Sequence, residues 1–155
     1  MRKNSHYKKD PAYRTVDSNL VNKLIALDIG ADRRYDFTLG TYMSDNNLEK
    51  IPEKLDIEIQ SKIATLHEAG FVHCDLHEFN IVFDIIDNGR CSYVEYAVRL
   101  IEFETLRAIS ELKDSDEETK MICKFLGMDH YGYDCTLEGL MKFEKEYNYR
   151  QCEKF

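Results

Sequence analysis

The feature that most constrains the fold is a region in the middle of the chain, where the pattern of apolar residues changes twice. Its first part has four apolar residues at spacings of four, four and three, namely Leu55, Ile59, Ile63 and Leu66. This spacing is the period of one buried face of an amphipathic helix. Pro52 is tolerated at the first position of such a helix, and Gly70 can end it in the left-handed conformation. The first part therefore predicts a helix that begins near Pro52 and ends just before Gly70.

The second part of this region predicts a β-hairpin. Residues 73–80 are polar, and two apolar runs follow them, Ile81–Ile86 and Tyr93–Ile101. Asn88-Gly89, between the two runs, is typical of a two-residue type I′ turn. The chain is thus expected to pass from a helix through a polar loop into a hairpin.

The flanking regions predict a strand before the central helix and further helices after the hairpin. Asp36–Met43 has the pattern of a strand that leads into a polar loop at residues 44–50. Ser115 starts a capping-box pattern for a helix that ends at Gly127, with the inward residues Met121, Ile122, Phe125 and Leu126. Thr136 can cap a last helix with the apolar residues Leu137, Leu140, Met141 and Tyr147. This order predicts an α+β domain of mainly helical character.

Composition and charge limit the classes of protein and partner. The 155 residues fit one domain, and the net charge of −8 disfavours nucleic acid as a partner. No apolar run approaches the ~18 residues of a transmembrane helix, so no membrane partner is expected. Five scattered cysteines without a Cys-X-X-Cys pair favour a reducing intracellular compartment, cytoplasmic or nuclear. Residues 1–18 are polar and largely basic, which predicts a flexible N-terminal arm before a domain at residues 19–155.

The polar loop contains the residue types that phosphoryl transfer requires. Asp75 can accept or orient the proton of an attacking hydroxyl group. Asn80 and Glu102, the latter at the end of the second apolar run, offer the hard oxygen ligands that Mg²⁺ prefers. His73 is expected to brace the loop rather than to react. A surface acid at a strand end is the alternative interpretation of Glu102.

The segment Leu66–Ile81 resembles the catalytic loop of the protein-kinase-like superfamily. Residues 73–80 are similar to its His-X-Asp-Leu-X-X-X-Asn motif, and residues 100–104 resemble the strand that carries the second magnesium acid. The histidine at position 77, His77, looks more like the atypical, RIO-like and aminoglycoside-phosphotransferase-like branches.

The resemblance implies a protein-kinase-like fold that binds ATP and Mg²⁺. Asp75 would be the catalytic aspartate, and Asn80 and Glu102 would hold the metal. Residues 38–45, including Tyr42 and Met43, would form the hinge that contacts adenine through backbone groups.

Parts of the family's pattern are missing from the sequence. No Gly-X-Gly-X-X-Gly motif and no Ala-Pro-Glu motif occurs, and Lys23 is the only candidate for the strand lysine. Glu102 replaces the expected aspartate, and Glu104 replaces the glycine found in many members. The chain therefore looks like a kinase C-lobe with a vestigial N-lobe.

Several functions are compatible with these patterns. The first is an impaired phosphotransferase acting on a protein or a small molecule, and the second is a pseudokinase that regulates or scaffolds a partner protein. A non-functional fragment is the third. A missing N-lobe would expose an apolar upper face, so an oligomer or a partner protein is expected to cover it. A transition-metal site made of His67, His73, His77 and Asp75 is a fourth, chemically different reading.

Overall fold

The computed structural model describes residues 17–87, 89 and 93–154. The architecture is mixed α+β, as predicted, with two small antiparallel sheets packed among helices. Most of the expected N-terminal arm lies outside the described residues, but Ser18, assigned to the arm by sequence, already begins a helix. None of the described helices is both long enough and apolar enough to span a bilayer.

The first third of the domain contains two short helices that the sequence did not predict. Helix α1 is Ser18–Ala26 and strand β1 is Phe37–Thr38. The strand predicted at Asp36–Met43 is wrong beyond Thr38, because the Thr38 side chain accepts a hydrogen bond from the Thr41 N–H at 3.4 Å. This bond caps helix α2 at Leu39–Asp45.

The central helix follows the sequence pattern closely. Helix α3 is Glu53–Glu68, and Pro52 is its N-cap residue. The four predicted inward residues are fully buried. Gly70 follows with a φ of +97°, the left-handed conformation that a glycine adopts at low cost.

The hairpin forms, but its register differs from the one predicted. Strand β3 is Ile81–Asp87 and strand β4 is Val94–Leu100. Asp87 lies opposite Val94, whereas a two-residue turn at Asn88-Gly89 would place it opposite residue 90. Asn88 lies outside the described residues. Strand β1 pairs with the other edge of β3, which gives the sheet order β1-β3-β4.

The second sheet and the last helices complete the domain. The elements are β2 at Phe71–Val72, β5 at Arg107–Ala108, α4 at Ile109–Lys113, α5 at Asp116–Leu126 and α6 at Leu137–Glu146. β2 and β5 pair in antiparallel fashion. Short 3-10 helices lie at Glu78–Asn80, Phe103–Thr105, Met128–Tyr131 and Asn148–Cys152.

The caps of α5 and α6 are those predicted. Ser115 accepts a hydrogen bond from the Glu118 N–H, and Thr136 accepts one from the Gly139 N–H. The predicted inward face of α5 is partly wrong, since the side chains of Met121 and Phe125 are exposed. Thr119 and Cys123 are buried instead, together with Ile122.

Two hydrophobic clusters hold the polar loop from opposite sides. The first cluster packs α3 against the three-stranded sheet and includes Leu76. The second is formed mainly by α5 and α6 and includes Val72 and Cys74. Because alternate residues of the loop are anchored in different clusters, the intervening polar residues are fixed in position.

Candidate active site

His73 is a buried structural support of the loop, as predicted. Its Nε2 atom donates to the Ile101 carbonyl oxygen at 2.8 Å, and its Nδ1 atom accepts from the Asp75 N–H at 3.2 Å. This arrangement requires the neutral ring with its proton on Nε2. Burial lowers the pKa of His73 below its usual value, which also favours the neutral ring. His73 thereby ties the loop to the end of β4.

Glu144 of α6 is a second support, and the sequence did not reveal it. Its Oε1 atom accepts hydrogen bonds from the His73 N–H at 3.0 Å and from His67 Nε2 at 2.8 Å. Its Oε2 atom accepts from the Cys74 N–H at 2.8 Å. Burial alone would raise the pKa of Glu144, but the hydrogen bonds from His67 and His73 lower it overall, so the carboxylate stays charged. A buried charge thus holds the backbone just before Asp75.

Asp75 and Asn80 are brought together by the loop. The Asn80 side-chain amide nitrogen donates to the Asp75 carbonyl oxygen at 2.8 Å. The Asp75 carboxylate is partly exposed, and its Oδ2 atom lies 3.9 Å from His77 Nε2. With its nitrogen committed to the loop, Asn80 has its amide oxygen as the atom able to face a cation.

Glu102 lies at the same end of the hairpin as Asn80. The Ile101 N–H donates to the Asn80 carbonyl oxygen at 3.0 Å, which continues the pairing of β3 and β4 by one step. Glu102 follows with a φ of +62°, and Cys74 in the loop has a φ of +75°. Non-glycine residues in this conformation are strained by ~1 kcal/mol or more, and such strain clusters at functional sites.

Glu104 adds a second carboxylate beside Glu102. Both residues line a cavity of about 260 Å³ whose apolar wall includes Ile101 and Phe103. The Oε1 atom of Glu104 is buried and has no hydrogen-bond partner. A buried carboxylate oxygen without a partner is costly, and a cation would satisfy it.

The donor set fits Mg²⁺. Asn80, Glu102 and Glu104 supply an amide oxygen and carboxylate oxygens, all of them hard ligands. Mg²⁺ is commonly held by one or two carboxylates, with waters and phosphate oxygens completing its coordination. These three residues could therefore hold the ion together with a bound phosphate group.

A larger cleft adjoins this cavity. It has a volume of about 970 Å³ and shares Ala31 and Ile101 with the cavity beside Glu102. Phe37, Tyr42 and Val82 contribute apolar surface to it. Charged and polar residues, among them Arg33, Asp36 and Asp45, line the same cleft, so its surface is mixed rather than apolar.

The expected hinge residues take different positions. The Tyr42 ring lines the cleft, but the Met43 side chain is in the first hydrophobic cluster. Their carbonyl oxygens accept hydrogen bonds from the N–H groups of Asn46 and Leu48, so they serve the turn that ends α2. The segment at 38–45 does line the cleft, through Thr38, Thr41, Tyr42 and Asp45, but most of it is helix α2 rather than an extended hinge.

The loop at residues 31–36 is fixed against the hairpin. The Ala31 N–H donates to the Leu100 carbonyl oxygen at 3.1 Å. The Asp84 carboxylate accepts from the Asp36 N–H at 2.7 Å and from Arg33 Nη1 at 2.8 Å. These bonds, the backbone bond above all, lower the pKa of Asp84. Arg33 and Arg34 both line the cleft, as do Asp36 and Asp45, so charges of both signs are present there.

The alternative transition-metal site is not formed. His67 contacts Glu144, His73 contacts the Ile101 carbonyl oxygen, and the His77 Nδ1 atom accepts from the Phe79 N–H at 3.1 Å. Within residues 17–87, 89 and 93–154, no group of three or more His, Cys, Asp or Glu side chains is placed to hold a metal ion. The histidines act as separate structural contacts.

Lys23 does not match the expected strand lysine. It is exposed in the last turn of α1, and it does not line the cleft or the cavity beside Glu102 in the described part of the chain.

Comparisons with known proteins leave the family open. No protein-family model, no curated protein and no solved structure gives a significant match to this chain. The functional argument therefore depends on the geometry of the loop, the hairpin end and the cleft.

Proposed function

We propose that this domain binds a nucleoside triphosphate with Mg²⁺ and transfers a phosphoryl group, as a protein-kinase-like phosphotransferase with a shortened N-terminal part. The observation that carries the proposal is that Asn80 bonds to the Asp75 backbone and pairs with Ile101, the residue before Glu102. Ile101 also lines the cleft of about 970 Å³. The order of helix, loop, hairpin and acidic strand end supports the same proposal.

Each residue has a distinct role in this proposal. The base would lie against Phe37, Tyr42 and Val82, which present apolar and aromatic surface. The phosphates would then extend past Ile101 toward Glu102 and Asn80. Bound Mg²⁺ would neutralise phosphate charge and orient the phosphate that is transferred.

Asp75 would orient the acceptor hydroxyl group and take its proton. Its carboxylate is partly exposed, so an acceptor can reach it. His73 is neutral and buried, which makes it a positioning residue rather than a proton donor. Arg33 and Arg34 would meet phosphate charge from the opposite side of the cleft, in place of the missing strand lysine.

The test is the thermal midpoint of the purified chain with and without ATP and Mg²⁺. Ligand at 100 times its dissociation constant adds ~2.7 kcal/mol of stability, which raises the midpoint of a domain of this size by about 5–11 °C. We expect Mg²⁺ to be required for the shift. Glu102→Ala should abolish the Mg²⁺-dependent part of the rise in midpoint. Glu95 is an exposed acid on β4, and Glu95→Ala should leave that rise unchanged.

Two further variants separate binding from transfer. Asp75→Asn should still bind the nucleotide but lose phosphoryl transfer to any acceptor that the wild type uses. Arg34→Ala should weaken ATP binding more than adenosine binding. The proposal is wrong if millimolar ATP with Mg²⁺ leaves the thermal midpoint unchanged. It is also wrong if ATP with Mg²⁺ raises the thermal midpoint of Glu102→Ala as much as that of the wild type.

A second candidate function is a binding module derived from the same fold. The observation in its favour is that the sequence contains no Gly-X-Gly-X-X-Gly motif, which a kinase uses to cover the phosphates. In this case a partner protein or a second copy of the chain would cover the upper face. Sedimentation of the purified protein, with a concentration series, would detect self-association directly.

A further inference from the structure

Two cysteines meet outside the candidate active site. Cys123 lies in the middle of α5 and is buried, whereas Cys135 is exposed and lies two residues before α6. Cys135 Sγ lies 3.8 Å from the carbonyl oxygen of Lys120, three residues before Cys123 on the same helix. This contact places the Cys135 thiol against the face of α5 that carries Cys123. The neighbouring Cys135 thiol also contributes to raising the pKa of Cys123, as expected for two thiols that lie near each other.

The segment around Cys135 is held firmly by the start of α6. Thr136 caps this helix by accepting a hydrogen bond from the Gly139 N–H at 2.9 Å. The backbone packs so closely here that a Cβ atom on Gly139 would lie 1.9 Å from the Asp134 carbonyl oxygen. The backbone on either side of Cys135 is therefore held in place, so little conformational entropy is lost when the Cys135 thiol forms a bond.

A small oxidant can reach the pair from one side. Cys135 lines a cavity of about 320 Å³ that also contains Lys113 and Lys120. Burial, with the neighbouring Cys135 thiol, raises the pKa of Cys123 to about 12, so this thiol is protonated at neutral pH. The exposed Cys135 is thus the first of the two to react.

We propose that Cys123 and Cys135 form a dithiol modification site, which a peroxide converts into an intramolecular disulfide. The Cys135 thiolate attacks one peroxide oxygen, the O–O bond breaks, and hydroxide leaves to give a sulfenic acid. Cys123 sulfur then attacks the Cys135 sulfur, the S–O bond breaks, and water leaves with the Cys123 proton. Two electrons pass from the two thiols to one peroxide, which is reduced to two molecules of water.

The disulfide would join α5 to the start of α6, the helix that carries Glu144. Both helices belong to the second hydrophobic cluster, together with Val72 and Cys74. The cross-link restricts the unfolded chain, so the oxidised protein has the higher thermal midpoint.

The experiment treats the reduced, desalted chain with a small excess of hydrogen peroxide and alkylates the remaining thiols after unfolding. Trypsin separates the two cysteines into the peptides Met121–Lys124 and Phe125–Lys142, so mass spectrometry can identify a link between them. We expect these two peptides to form the main disulfide-linked species and dithiothreitol to release them. The thermal midpoint should rise on oxidation and return on reduction.

Three variants control the result. Cys135→Ser, at an exposed position, should abolish the link and the rise in midpoint, while Cys152→Ser should change neither. Cys123→Ser should leave a sulfenic acid on Cys135 that dimedone traps. Peroxide that oxidises Cys135 in the wild type while Cys123 remains alkylatable would overturn the proposal. Links from Cys135 mainly to Cys91 or Cys152 would overturn it as well.

Discussion

Replacing Glu144 should unfold the candidate active site before it unfolds anything else. The Glu144 carboxylate accepts three hydrogen bonds, from the N–H groups of His73 and Cys74 and from the His67 ring. In Glu144→Gln the size is kept, but the negative charge is lost. The new amide nitrogen cannot accept from the Cys74 N–H, which is then left buried without a partner.

The magnitude follows from these contacts. A hydrogen bond to a charged group contributes about 1.5–3 kcal/mol, and an unsatisfied buried donor costs about 1–3 kcal/mol. We therefore expect Glu144→Gln to lower the free energy of unfolding by about 2–4 kcal/mol. For a domain of this size the thermal midpoint then falls by about 4–16 °C.

The assay is chemical unfolding combined with hydrogen exchange of the backbone amides. Glu146→Gln is the matched control, because it makes the same change two residues away on an exposed side chain. The control should stay within about 0.5 kcal/mol of the wild type. The amides of His73 and Cys74 should lose protection in Glu144→Gln. Equal stability of the two variants, with both amides still protected, would refute the assigned role of Glu144.

Two other predictions concern packing and pH. A Cβ atom on Gly40 would lie 2.6 Å from Phe79 Cε1 and 2.9 Å from Glu78 Cγ, so Gly40→Ala should cost about 1 kcal/mol in the wild type. In a Phe79→Ala background the contact with the ring is removed and the flexible Glu78 side chain can move, so the same change should cost less. A double-mutant cycle of urea unfolding measures the difference. Burial lowers the pKa of His73, and the bonds from His67 and His73 lower that of Glu144, so on acidification the unfolded chain takes up protons that the folded chain does not. The stability contributed by these two groups should therefore be fully present above the ordinary histidine pKa. It should fall as the pH drops through 6.5 and then through the ordinary glutamate pKa. His73→Gln should flatten the first part of a plot of urea midpoint against pH, and the exposed His130→Gln should not; an unchanged plot in His73→Gln would contradict this account.

The sequence predicted those elements whose signals lie within a few neighbouring residues. The four apolar residues at helical spacing in α3 are fully buried. Gly70 follows the end of a helix and Ser115 and Thr136 cap the start of one, as predicted. The errors occur where a local signal is ambiguous. Thr38 fits a strand by composition, yet its hydroxyl group caps a helix of seven residues.

Long-range contacts account for the features that the sequence did not predict. Asn88-Gly89 predicts a register in which Asp87 lies opposite residue 90, but the seven cross-strand pairs place Asp87 opposite Val94. Glu144 is one acid among several in an amphipathic helix. Nothing local distinguishes it, because the amides that it binds lie about 70 residues earlier in the chain. Asp75 and Asn80 could be selected as candidates because both lie within one short sequence motif. The groups that hold the loop in place come from α6 and from the end of β4, far away in the sequence.

Backbone strain and an unpaired polar atom are concentrated near the polar loop and the end of the hairpin. Among the described residues, four that are not glycine have a positive φ, and Cys74 and Glu102 are two of them. Each costs ~1 kcal/mol or more relative to a residue in an ordinary conformation. The same small region contains the buried charge of Glu144 and the buried carboxylate oxygen of Glu104 that lacks a partner. Glu144 stabilises the fold through its hydrogen bonds, but the backbone at Cys74 and Glu102 and the unpaired Glu104 oxygen cost free energy. A domain that only presented its outer surface to a partner would gain stability by relaxing those three features. The cation and phosphate site that we propose at Asp75, Asn80 and Glu102 would give them a purpose, because preorganised sites hold such groups in place.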